Sequence, residues 1–197
     1  MGGRNLEIEI KARIASIEEM ARTITSAGAE FDCDLVHVDY YFDKPAKLGS
    51  FARTDEALRL RVSRNETRGV EEAFLTYKGP KVDATTKTRE EIDVGVADAG
   101  KVRQLLSMIG FKEVIVIKKV RKHYHHGDVS IMLDLVEGLP GPYMEVEIVV
   151  ADEATLAARR EQLFAYLEGV GIGRDASERR SYLELVLLAR SGTPAKP

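Results

Sequence analysis

The sequence predicts an α+β fold in which about eight mainly antiparallel strands close into a barrel, with three or four helices packed outside. The strand patterns come in runs instead of alternating strictly with helices, which favours antiparallel pairing. Strand after strand also carries charged residues on one face and Leu, Ile or Val on the other. Helices with apolar stripes need an apolar sheet face to cover. A closed sheet covered in this way turns its charged faces inward.

The first half of the chain is predicted to contain one helix and most of the strands. The alternating residues 6–13 (LEIEIKAR) are the first strand. Ser16 and Glu19 form a capping-box pattern, so we expect a helix that runs to about Ala27 and ends at Gly28. A long strand, a polar connection and three shorter strands are then predicted at residues 30–42, 44–55, 57–64, 71–79 and 86–96.

The second half is predicted to return to strands between its helices. Asp98 can cap a helix that Gly110 ends, and Gly127-Asp128 is a hairpin signal. Asp152 is expected to open a third helix of about 16 residues. The remaining predicted elements are a helix at residues 99–109, strands at 112–126, 128–139 and 143–150, and a closing amphipathic helix at 177–190.

Composition indicates one globular domain, which we place at residues 1–190, with a flexible tail at 191–197. The net charge is −3, which argues against a generic nucleic-acid-binding protein and gives no reason to expect membrane binding. No apolar run reaches the roughly 18 residues of a membrane span. The single cysteine, Cys33, fits a reducing compartment. The sequence therefore predicts a cytoplasmic protein.

The charged strand faces decide the functional prediction. Residues i and i+2 of a strand share a face, so Glu7, Glu9 and Lys11 project together. A sheet with one wet face also gives this alternation, but here Arg and Glu recur together on several strands. A closed, charged lumen must hold counter-charges and water because isolated buried charge is too costly. Carboxylates suit Mg²⁺ and Arg suits phosphate, so the pattern favours a triphosphate with metal.

The residues that carry this pattern resemble a known family. The signature Glu7-x-Glu9-x-Lys11 is similar to that of the CYTH superfamily, the triphosphate tunnel metalloenzymes. The blocks LRLR, TYKGP, TREEID, KKVR, LDLVEGLPGPYMEVE and RSYLELV follow in family order. The resemblance covers about residues 5–188 and is closest to the class IV adenylyl cyclase branch.

The resemblance implies an eight-stranded tunnel, helices outside it and dependence on a divalent metal, Mg²⁺ or Mn²⁺. It allows a homodimer, since proteins of this family often form dimers. It also implies site residues at matching positions. These are Glu7, Glu9, Glu145 and Glu147 for metal; Lys11, Arg59, Arg61, Lys78, Arg89, Lys119 and Arg121 for triphosphate; Asp134, Lys119 and Arg121 for catalysis; and Glu91 as a further tunnel residue.

Three functions remain open at this point. The first is a class IV adenylyl cyclase that converts ATP to cyclic AMP and pyrophosphate. The second is a triphosphatase that hydrolyses an inorganic, thiamine or nucleoside triphosphate, and the third is a module that binds nucleotide or polyphosphate without turnover. Two further residues receive structural interpretations: His37 as an ordinary strand residue, and Tyr182 as a packing residue of the last helix.

Overall fold

A computed structural model describes residues 6–81, 88–150 and 152–191, and within them the predicted closed antiparallel barrel is confirmed. Residues 86–87 of one predicted strand and residues 192–197 of the predicted tail lie outside this part. The strands are β1 (Leu6–Arg13), β2 (Glu30–Asp43), β3 (Ala57–Asn65), β4 (Val70–Lys78), β5 (Arg89–Val96), β6 (Lys112–His126), β7 (Val129–Val136) and β8 (Tyr143–Val150).

The described helices are α1 (Ile17–Ser26), α2 (Ala99–Met108), α3 (Leu156–Gly169) and α4 (Tyr182–Arg190). The predicted N-caps of α1 and α2 are confirmed: Ser16 accepts the Glu19 N–H at 3.3 Å and Asp98 accepts the Lys101 N–H at 2.9 Å. Of the capping box predicted for α1, the structure shows this Ser16 bond. The predicted polar connection contains two short 3-10 turns, Ala46–Leu48 and Phe51–Arg53. None of the helices in the described ranges has the length and apolar character needed to cross a membrane.

The starts of the last two helices were predicted wrongly. The Asp152 carboxylate accepts the Ala154 N–H at 2.9 Å and caps a 3-10 turn, so α3 begins only after Thr155. α4 begins at Tyr182, not at residue 177, because Ser177 instead forms an isolated β-bridge with Ala12. Ser181 and Glu184 form the reciprocal capping box that starts α4.

The order of strands around the ring fixes which charged faces oppose each other. The ring runs β1-β5-β4-β3-β2-β6-β7-β8, so β1 lies opposite β2. β5 and β8 flank β1, whereas β3 and β6 flank β2. The three strands β5, β1 and β8 therefore face the three strands β3, β2 and β6 across the lumen.

Apolar packing outside the ring and at one end holds the barrel closed. α1 and α3 cover the apolar faces of β1, β7 and β8, where Ile131 and Leu163 are fully buried. α2 places Leu106 against Leu60 of β3 in a second cluster. At one end of the barrel, α4 packs Leu185 and neighbouring side chains in a third cluster with β2, β6, β7 and β8. The side chains left inside the ring are mainly charged.

Candidate functional site: a charged lumen

The lumen contains a cavity of about 530 Å³, within the range of about 300–1,000 Å³ that is usual for small-molecule sites. The strands deliver its charged lining because alternate residues of each strand point inward. The predicted site residues that line it are Glu7, Glu9, Arg59, Arg61, Lys78, Arg89, Glu91, Lys119, Arg121, Glu145 and Glu147.

Acidic and basic residues are segregated across most of this cavity; the exception is Arg89 of β5, which lies beside Glu7 in the β1–β5 register. The strands β8, β1 and β5 contribute Glu145, Glu147, Glu7, Glu9, Glu91 and Asp93, which we call the acidic wall. The opposing strands β3 and β6 contribute Arg59, Arg61, Lys119 and Arg121, and β2 contributes His37. We call these five residues the basic wall. The lumen can therefore hold an anion and a cation side by side.

Asp134 of β7 anchors one side of the basic wall. Its carboxylate accepts two bonds from the Arg121 guanidinium, at 2.7 and 2.6 Å, and one from the Lys119 ammonium at 3.3 Å. Burial would raise the pKa of Asp134, but the charges of Arg121 and Lys119 outweigh burial and hold that pKa below its ordinary value. Arg121 also donates to Glu145 at 2.7 Å, so it bridges β7 and β8.

Asp39 of β2 anchors the other side of the basic wall. It accepts two bonds from Arg61, at 2.6 and 2.7 Å, in the planar geometry that orients a guanidinium. Burial opposes ionisation, yet Arg61 holds the pKa of Asp39 below its ordinary value. Arg59 donates to Thr76 at 3.1 Å. Lys78 of β4 forms an ion pair with Glu91 of β5.

Lys11 and Asp134 lie behind the cavity lining. Neither has exposed surface. The Lys11 ammonium donates to the carbonyl of Arg180 at 2.7 Å and lies 3.9 Å from the centre of the Tyr182 ring. It is also 3.7 Å from a Glu145 oxygen. The predicted triphosphate contact of Lys11 and the catalytic role of Asp134 stay predictions, and both residues now have described structural partners.

The acidic wall contains a cluster of carboxylates that fits a divalent cation. Glu7, Glu91 and Asp93 each place one oxygen within 4.8 Å of the other two. Burial, then Glu147 and Glu91, raise the pKa of Glu7 to about 9. Burial and the charge of Glu9 raise the pKa of Glu147 to about 7. Crowded carboxylate oxygens are the donor set that Mg²⁺ and related hard cations use.

The predicted metal ligands therefore divide into different surroundings. Glu7 belongs to the three-carboxylate cluster, and Glu9 lies directly across from Glu147 in the β1–β8 register. Glu145 is occupied by Arg121. Asp93 was not among the predicted ligands, although it shares a strand face with Glu91 and the alternation of β5 could have identified it.

Two residues received incomplete interpretations from sequence. The Tyr182 ring packs in the cluster under α4, as expected, but its hydroxyl also donates to Asp134 at 2.9 Å. His37 is a strand residue, but its side chain lines the cavity and is only 3% exposed. In HVDYY, the two-residue period places His37 on the same inward face as Asp39 and Tyr41, which was the available signal.

Replacing Tyr182 with Phe should lower stability through the lost bond to Asp134. Because the acceptor is a buried carboxylate, we expect the free energy of unfolding to fall by about 1–3 kcal/mol in urea denaturation. Tyr143→Phe is the matched control, since the Tyr143 ring contacts the Tyr182 ring edge-on with centroids 5.6 Å apart. Equal losses in the two variants would contradict a specific role for the Tyr182 hydroxyl.

Comparison with known proteins supports a single family. The CYTH domain model matches residues 5–182. A protein named "Putative adenylate cyclase MJ0240", from Methanocaldococcus jannaschii, is 37% identical over 180 residues, which cover 91% of this chain and 98% of that protein. "Adenylate cyclase CyaB" from Aeromonas hydrophila is 28% identical over 180 residues, covering 91% of this chain and 87% of that protein.

A solved structure agrees with the barrel described above. The PH1819 protein from Pyrococcus horikoshii superposes with a TM-score of 0.83 at 40% identity, and the match covers 92% of this chain and 98% of that one. The family model spans all eight strands of the barrel and reaches the start of α4. By sequence and by fold, this chain belongs to the CYTH domain family.

Proposed function

We propose that the protein is a divalent-metal-dependent adenylyl cyclase that converts ATP to cyclic AMP and pyrophosphate within the lumen. The observation that carries the proposal is the separation of most of the charge to opposite sides of a cavity inside a closed barrel. The carboxylates of β8, β1 and β5 face the cations of β3 and β6. A triphosphate with a metal ion complements both walls at once.

In this proposal the basic wall binds the phosphates. Arg59, Arg61 and Arg121 offer guanidinium groups that recognise phosphate oxygens through paired bonds. Burial and the charge of Arg121 lower the pKa of Lys119 to about 8, and the carboxylate of Asp134 at 3.3 Å only partly offsets them. A bound triphosphate supplies negative charge and favours the protonated ammonium. Lys78 of β4 and Arg89 of β5 line the same cavity outside the basic wall, and we assign them further phosphate contacts.

The acidic wall would hold Mg²⁺ or Mn²⁺ through the cluster of Glu7, Glu91 and Asp93, with Glu9 and Glu147 adjacent. When bound, the metal would supply Lewis-acid polarisation of phosphoryl oxygens. Glu145 is already bonded to Arg121, so we assign it the task of orienting that guanidinium.

The lining next to α4 favours a nucleoside triphosphate over a bare polyphosphate. Ala52, Ala57, Leu183 and Leu187 all line the cavity. Apolar side chains of this kind suit an organic group and provide no charge for phosphate. Two relatives with adenylate cyclase names support the choice of ATP.

The proposed reaction is an in-line displacement at the α-phosphorus. The ribose 3′-oxygen forms a bond to the α-phosphorus as the bond to the α–β bridging oxygen breaks. Pyrophosphate leaves with the electron pair, and the hydroxyl proton passes to water. Phosphoryl transfer depends mainly on positioning and charge stabilisation. Lys119 and Arg121 would neutralise the charge on the leaving pyrophosphate, while Asp134 holds both cations in place.

A product assay tests this function. Purified protein incubated with ATP and Mg²⁺ or Mn²⁺ should release cyclic AMP and pyrophosphate in equal amounts, and chelation of the metal should stop the reaction. Orthophosphate from ATP, tripolyphosphate or thiamine triphosphate, without cyclic AMP, would instead identify a triphosphatase. Metal-dependent ATP binding without any product would identify a binding module, and either result would overturn the cyclase.

A further inference from the structure

His37 is a buried group that the proposed reaction has not yet used. It lies on β2 between Lys119 of β6 and Ser63 of β3 in the strand registers, and its side chain lines the cavity. Its Nδ1 atom is buried and has no hydrogen-bond partner among the residues that the structure describes. The whole residue is 3% exposed, so bulk water does not compensate this atom.

An unpartnered buried nitrogen requires a physical reason because protein interiors satisfy nearly all such groups. The residues around His37 explain why the protein offers no acceptor. Burial, and then the positive charges of Arg61, Lys119 and Arg121, keep the pKa of His37 below its ordinary value. The nearby carboxylate of Asp39 already accepts two bonds from Arg61. In the tautomer that carries its proton on Nδ1, the acceptor would therefore have to come from outside the chain.

A phosphate oxygen meets this requirement. The three cations attract an anion to the basic wall, and a neutral imidazole can donate one N–H to it without adding further positive charge to the cluster. Such a bond is directional, whereas the attraction of the surrounding ammonium and guanidinium groups is spread over the whole phosphate. The imidazole would thus fix the position of one oxygen.

We propose that His37 is a phosphate-binding residue of the lumen, whose neutral imidazole donates its Nδ1–H to an oxygen of the bound triphosphate. This inference rests on the proposed function, because it requires a triphosphate in the cavity. His37 would be an uncharged hydrogen-bond donor at a fixed position in the basic wall, whose other members are all cations.

The test compares four substitutions by calorimetric titration with α,β-methylene-ATP and Mg²⁺, a probe that cannot release pyrophosphate. His37→Leu removes both ring nitrogens, and we expect affinity to fall by at least about tenfold, as for a bond to a charged acceptor. His37→Asn places an amide N–H near the Nδ1 position and should retain most of the affinity. His37→Gln places it near Nε2 and should retain less. His126→Asn, at an exposed site beside the β6–β7 turn, is the control.

A spectroscopic readout accompanies the titration. The Nδ1 resonance of His37, assigned by its loss in His37→Gln, should shift when the probe binds, and that of His126 should not. Equal affinity of His37→Leu and the wild type, or an unshifted Nδ1 resonance in the bound protein, would overturn the role of His37 and leave the proposed function standing. Failure of the wild type to bind the probe would overturn both.

Discussion

Glu7→Gln is expected to abolish metal-dependent turnover and, at the same time, to raise the melting temperature of the metal-free protein at about pH 8. Both effects have one cause, the crowding of carboxylates on the acidic wall. Burial, Glu147 and Glu91 raise the pKa of Glu7 from 4.5 to about 9. Ionising Glu7 is unfavourable in the metal-free protein, and a bound cation would favour the ionised carboxylate.

The sign of the pH effect follows from proton binding. Between pH 4.5 and about 9 the folded chain holds a Glu7 proton that the unfolded chain has released. The metal-free wild type therefore loses stability as pH rises through this interval. The amide of the Glu7→Gln variant has no proton to lose, so the difference between the two proteins should be small at about pH 5 and grow toward pH 8.

Thermal denaturation measures the difference in melting temperature between the Glu7→Gln variant and the wild type. Each tenfold difference in proton affinity corresponds to about 1.4 kcal/mol, so we expect the variant to melt at least about 3 °C higher at the alkaline end. Mg²⁺ should stabilise the wild type there and should have little effect on the variant. Glu71→Gln, at an exposed position of β4, is the control and should change neither melting nor activity. A variant that melts lower than the wild type at every pH would contradict the account.

The strand alternation made the lumen predictable, because a two-residue period assigns every inward side chain once the apolar face is known. Glu7, Glu9 and Lys11 follow from that rule, and so do Arg59 and Arg61. The depth of each residue does not follow from it. Lys11 shares a face with Glu9, yet the segment before α4 and the Tyr182 ring enclose it.

The pairing of distant strands was the information that the sequence lacked. Glu7 meets Glu91 and Asp93 only because β1 closes against β5, and the basic wall forms only because β2 pairs with β6. Neither contact is local in sequence, so neither leaves a spacing that can be read. Local signals were more dependable at Ser16 and Asp98, where a side chain caps its own helix. At Asp152 the capping signal predicted the wrong start for α3, because Asp152 caps a 3-10 turn that precedes the helix.

Asp134→Asn is expected to cause the largest loss of stability among the lumen substitutions. The carboxylate has no exposed surface and accepts bonds from Arg121, Lys119 and Tyr182. The Asn amide group would point an N–H at one of these donors. It would also remove the negative charge that balances the buried cations Arg121 and Lys119. Breaking a buried ion pair in this way costs about 3–5 kcal/mol. Activity should fall as well, since Lys119 and Arg121 lose their orientation.

Two control variants test whether the loss of stability in Asp134→Asn comes from the burial of its ion pairs. Asp34→Asn breaks an ion pair with Lys122 in which both side chains are 39% exposed, and it should cost less than about 1 kcal/mol. The double variant Arg121→Met with Asp134→Leu removes one buried cation and one buried carboxylate together, and leaves Lys119 with the charge of Glu145. It should regain part of the stability lost in Asp134→Asn, without regaining cyclic AMP formation. Urea denaturation measures the stability of each variant, and the product assay measures its cyclic AMP formation.

If Asp134→Asn were as stable as Asp34→Asn, the carboxylate would not be the anchor of the basic wall. If the double variant were active, Arg121 would not be needed for the phosphates. Recovery of stability without activity would show that the buried charges of this barrel are kept for the chemistry of the lumen and not for folding.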